Sequence, residues 1–115
     1  MQYLVTMNFV EPGPLLPPEQ LVGMMRSAVL PTLETLERLD TEGKILGGGH
    51  PVGERAVAFI VEAESNDELD VLLHELPAWG VLKTGVTPLR RFEERLETER
   101  HFTEQFESVL AHQAR

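Results

Sequence analysis

Apolar and polar positions alternate from Gln2 to Phe9, with Tyr3, Val5, Met7 and Phe9 on one side and Leu4, Thr6 and Asn8 on the other. A period of two in β-forming residues predicts a strand. The Pro- and Gly-rich stretch from Glu11 to Pro18 then reads as a loop. Pro17 and Pro18 predict a helix start, because proline fits a first turn whose N–H groups have no intrahelical partner. Val22, Met25, Val29, Leu33 and Leu36 follow at spacings of three and four and predict one inward stripe. Pro31 lies inside that pattern and predicts a bend near residues 27–31, since it removes one helical hydrogen bond. Gly43 predicts the stop.

Lys44 to His50 and Arg55 to Ala63 read as two strands joined by a turn over Pro51 to Glu54. Ser65-Asn66-Asp67-Glu68 has the spacing of a capping box and opens a helix that presents Leu69, Leu72, Leu73 and Leu76 inward and stops at Pro77. Val81 to Leu89 reads as a fourth strand, weakened by Gly85. From Phe92 to about His112 the period is helical again. Phe92, Leu96, Phe102, Phe106 and Leu110 are expected inward, and Glu93, Glu97, Arg100, Glu104 and Glu107 outward.

The order is β-α-β-β-α-β-α. Its first six elements form the split βαβ pattern of an α+β domain, with both helices on one face of an antiparallel sheet. The third strand is apolar on both sides: Val57, Phe59 and Val61 on one, Ala56, Ala58 and Ile60 on the other. Burial on both faces favours a homodimer or larger oligomer that covers the second sheet face. The alternative is that the last helix folds back over that face within one chain. Residues 1–91 are expected as the domain proper, and 92–115 as a helix of the same unit.

Composition narrows the function. The chain has 115 residues, 42% apolar and 25% charged, the balance of one globular domain. A net charge of −9 argues against nucleic acid and against anionic membranes as partners. The absence of cysteine excludes disulfides, thiolate catalysis and Cys-ligated metal. The N-terminus lacks the basic and apolar regions of a signal peptide, and no segment is long enough to span a bilayer, so a cytoplasmic protein is expected.

Among polar residues, His50 stands out. It ends a strand, where a side chain reaches into a cleft, and an imidazole moves protons near neutrality without a cofactor. Glu54 and Arg55 adjoin it across the turn, a carboxylate suited to act as a base and a guanidinium suited to hold a substrate carboxylate. Each also fits an ordinary exposed turn. Asn8 and Trp79 are candidates for lining a pocket, although a tryptophan after Leu76-Pro77 equally reads as a core plug. Gly47-Gly48-Gly49 leads into His50 and another strand rather than a helix, so it reads as a bulged strand end or a close approach of backbone or ligand, not a phosphate loop. Arg90 and Arg91 read either as an anion site or as partners of Glu93 and Glu94. His74, His101 and His112 are scattered, which disfavours a metal site.

The strand Gln2 to Phe9, the helix ending at Glu42-Gly43, Ser65-Asn66-Asp67-Glu68-Leu69, Leu72-Leu73-His74-Glu75-Leu76-Pro77 and Val86-Thr87-Pro88-Leu89 together resemble the muconolactone delta-isomerase family over residues 1 to 91. The resemblance implies a ferredoxin-like βαββαβ fold of the dimeric α/β-barrel kind and assembly into oligomers. It also implies cofactor-free movement of a double bond in a small unsaturated lactone: a base removes a proton next to the carbonyl, and the dienolate is reprotonated further along. On that implication His50 or Glu54 is the base, Arg55 anchors the substrate carboxylate, and Asn8 and Trp79 line the site. The family has a histidine close to where this chain has Glu54, and relatives of the same fold include cofactor-less monooxygenases. A non-catalytic ligand-binding or assembly module is the alternative. The helix after Phe92 lies outside the resemblance.

Overall fold

The computed structural model describes residues 1–9 and 16–114. The loop expected from Glu11 to Pro18 therefore lies largely outside the described residues. Strand β1 (Gln2–Phe9) is followed by α1 (Pro18–Met24), a π-helical turn (Met25–Val29) that runs directly into α2 (Leu30–Thr41), β2 (Ile45–Gly49), β3 (Ala56–Glu62), α3 (Asn66–His74), a short 3₁₀ turn (Trp79–Val81), β4 (Leu82–Leu89) and α4 (Phe92–Gln113). The four strands form one antiparallel sheet in the order β2-β3-β1-β4, the ferredoxin-like arrangement.

Register explains the layers. Tyr3 faces Val61 and Val5 faces Phe59 across the central pair. These four residues are buried and meet Leu36 and Leu39 of α2 and Leu69 and Leu73 of α3 in one core. Leu4, Thr6, Ala58 and Ile60 alternate to the opposite face, where they are half-buried. The Tyr3 hydroxyl donates to Asn66 Oδ1 at 2.6 Å and ties the start of α3 to β1. At the cap itself, Ser65 Oγ accepts from the Glu68 N–H at 3.1 Å. The Glu68 carboxylate accepts from the Glu64 N–H at 2.8 Å, one residue before the cap.

Two expectations change, and the triple glycine takes one of the readings its sequence left open. The bend at Pro31 is a π-helical turn on its N-terminal side: the Leu30 N–H reaches Met25 O, five residues back. Proline provides no N–H for the normal ladder, and the helix absorbs the loss by widening. That widening also resets the inward stripe. Val29, Thr32, Leu36 and Leu39 are buried, whereas Val22 is exposed and Met25 and Leu33 turn partly outward. The triple glycine is a backbone contact. Gly48 has φ +130°, and a Cβ there would collide with Ala58 O and Phe59 Cα of β3, which excludes side chains at this bulge.

The largest change concerns α4. None of its residues is buried, and Phe92, Leu96, Phe102, Phe106 and Leu110, expected inward, are all at least half exposed. The helix does not fold back over the sheet; it projects from the end of β4. The chain accordingly has a radius of gyration of 20.6 Å and a longest dimension of 77 Å, against roughly 13 Å for the radius of a compact domain of this length.

Candidate functional site

Between the α1–α2 segment and the end of the sheet where β1 finishes and β4 starts lies a cavity of about 440 Å³, within the usual range for small-ligand sites. Met7 and Phe9 of β1, Met24, Met25, Val29 and Leu33 of the helical segment, and Leu82 of β4 give it apolar walls. His50, Glu54 and Arg55 form its polar edge. All three are exposed, so the cavity opens to solvent on that side.

His50 is held by its own turn. Its Nδ1 lies 2.8 Å from Ala56 O. A carbonyl only accepts, so in the neutral ring Nδ1 carries the proton and Nε2 keeps the free lone pair. Arg55 is fixed at the backbone: its carbonyl accepts from the Phe9 N–H at 3.1 Å, tying the β2–β3 connection to the end of β1.

The structure brings His50, Glu54 and Arg55 to one cavity and leaves two other candidates out. Asn8 is exposed on the opposite face of β1 from Met7, a consequence of strand alternation. Trp79 packs against the core and stacks on His74 with ring centroids 4.2 Å apart. Its neighbour Ala78 lines the cavity instead. Arg90 is engaged outside the site, 3.5 Å from Glu94 and 3.3 Å from Thr98 Oγ1. Among the described residues no group of three or more His, Asp or Glu side chains is placed to hold a metal ion.

Sequence reasoning missed Thr32. It is 4% exposed, lines the cavity, and its Oγ1 accepts from the Ala78 N–H at 2.9 Å. Its neighbours Ser27 and Thr35 bond back to the carbonyl four residues before them, the usual habit of helical hydroxyls. The Thr32 hydroxyl proton has no such acceptor among the described residues, so it remains a donor at an apolar wall. The signal was a polar residue three positions after Val29 and four before Leu36, a spacing that puts it on the inward stripe between them.

The family model for muconolactone delta-isomerase matches residues 1–95. This chain belongs to that family. Solved structures agree on the fold. The crystal structure of a muconolactone isomerase superposes with a TM-score of 0.64 at 22% identity, covering 79% of this chain and 90% of that one. A 5-chloro-2-hydroxyhydroquinone dehydrochlorinase from Burkholderia phenoliruptrix AC1100, in complex with 2,5-dihydroxybenzoquinone, superposes with a TM-score of 0.58 at 23% identity, covering 82% of this chain and 98% of that one. A search of curated proteins finds no match. The family match ends within the first turn of α4, so the rest of that helix is an addition to the family domain.

Proposed function

We propose that the chain is a cofactor-independent enzyme that moves a proton, and with it a double bond, within a small unsaturated lactone or related carbonyl acid. The observation that carries this reading is the His50 Nδ1–Ala56 O hydrogen bond, which leaves Nε2 as a free base at the rim of an apolar cavity. His50 Nε2 takes the acidic proton next to the carbonyl. The electron pair moves into the conjugated system as a dienolate, and the same proton or one from water returns at the far end of the double bond. Arg55 holds the substrate carboxylate, and the Thr32 hydroxyl, from the inner wall, donates to the oxygen on which negative charge develops. Apolar walls strengthen the Thr32 interaction by excluding water from the inner end of the cavity. The two structural neighbours support the reading. An isomerase moves a proton, and a dehydrochlorinase removes HCl, so each reaction needs a proton-transfer group.

The test is incorporation of solvent deuterium into a panel of enolisable five-membered lactones carrying a carboxylate. His50→Ala is expected to slow exchange by about 10²–10⁴-fold, and Thr32→Val to lower kcat by roughly 10²-fold with KM little changed. Thr32→Ser retains the hydroxyl and restores most of the rate. Wild-type exchange no faster than buffer across the panel removes the enzymatic reading and leaves a binding module. Full exchange in His50→Ala with loss in Glu54→Gln transfers the role of base to Glu54.

A further inference from the structure

Helix α4 is used by neither the core nor the cavity. It runs 22 residues, about 33 Å. Phe92, Leu96, Phe102, Phe106, Val109 and Leu110 fall on one side of it, within an arc of roughly 140° at 3.6 residues per turn, and all six are at least half exposed, Phe92 at 94% and Phe106 at 67%. A monomer rarely leaves so long an apolar stripe in water. The Arg95–Glu99 pair, closed at 2.8 Å, lies within the stripe and neutralises its own charges there. With half or more of each side chain exposed, the stripe offers on the order of 600 Å² per copy. Two copies together reach on the order of 1,200 Å², the lower end of stable interfaces.

The stripe is also self-complementary in one direction. In an antiparallel register centred between Phe102 and Thr103, Leu96 faces Val109, and Phe102 faces Thr103 of the second copy. No glutamate faces a glutamate in that register: Glu93 faces His112, Glu104 faces His101, and the other four face Ala111, Ser108, Phe106 and Thr98. Parallel pairing in register sets each glutamate beside its own copy, in a helix with six glutamates against two arginines. Antiparallel dipoles favour the same choice. We propose that α4 pairs antiparallel with α4 of a second copy of this chain, forming a two-helix clasp that joins the domains from outside the family fold.

The chain has no cysteine, so an introduced one is unique. Under mild oxidation of the full-length protein, Thr103→Cys sits near the two-fold axis and is expected to give a disulfide-linked dimer. Leu96→Cys alone is not, because its two copies lie about 20 Å apart along the helices. Leu96→Cys with Val109→Cys is expected to link again. Adding Phe102→Glu and Phe106→Glu to Thr103→Cys slows linkage more than tenfold. Both positions are exposed, so an unchanged thermal midpoint of the domain shows that this loss is not unfolding. Linkage of Leu96→Cys alone at the Thr103→Cys rate overturns the antiparallel pairing. Absence of linkage for Thr103→Cys overturns the clasp, as does its preferential linkage to a cysteine at Thr87 on the open sheet face, or undiminished linkage with both glutamates in place.

Discussion

Leu36 on α2 and Phe106 on α4 hold equivalent places in an amphipathic pattern, each near the centre of its stripe. Leu36 is 8% exposed and Phe106 is 67% exposed. The difference lies in what surrounds each helix. α2 is bounded by a sheet whose inward residues, Tyr3, Val5, Phe59 and Val61, present a ready surface, and α3 fills the space beside it. α4 leaves the end of β4 after the sheet face with helices is already occupied, and it projects away from the sheet instead of packing on the other face. Period alone states that a helix has a face to bury; it does not state whether the same chain provides the surface. In proteins most of a helix's stability comes from packing its apolar face, whether on the same chain or on another.

That contrast is most exposed by paired truncations. Leu73→Ala in the body is expected to lose about 2–5 kcal/mol of stability, independent of protein concentration, because it opens a cavity among fixed neighbours. Phe106→Ala is expected to leave the unfolding midpoint of the body unchanged at high dilution. Its effect appears as weaker association in sedimentation or light scattering. Equal, concentration-independent losses for the two would erase the distinction between body and arm.

Backbone strain sharpens the body side. Gly48→Ala forces a side chain onto β3 at a positive φ and is expected to cost about 3 kcal/mol, measured by chemical denaturation. Gly49, which has open space at its Cβ, tolerates alanine far better. The smallest effect is at the α3 cap. Ser65→Ala removes the acceptor for the Glu68 N–H and is expected to cost about 1 kcal/mol. Helix α4 has no side-chain cap to lose: Arg91→Ala is expected to change stability by less than the resolution of the same denaturation curves.

Local chemistry fixed much of this protein in advance. The alternation of Gln2 to Phe9, the Ser65 cap, the stop at Gly43 and the proline in the first long helix each act within a few residues, and each is found where the sequence places it. The same holds for His50, Glu54 and Arg55. They adjoin one another around a single turn, so any fold that makes the turn brings them to one edge.

What remained was decided by contacts between distant parts of the chain. Asn8 and Trp79 left the site because strand alternation and core packing turned them elsewhere. Thr32 entered it because α2 packs against the segment that follows α3, which sets its hydroxyl beside Ala78, 46 positions away. The destination of α4 was decided last, by which apolar surfaces the folded domain left unfilled. Periodicity is a property of one segment, whereas burial is a property of two. The order of residues in a segment sets which of its faces are apolar, and contacts across the fold set which of those faces find a partner within the chain.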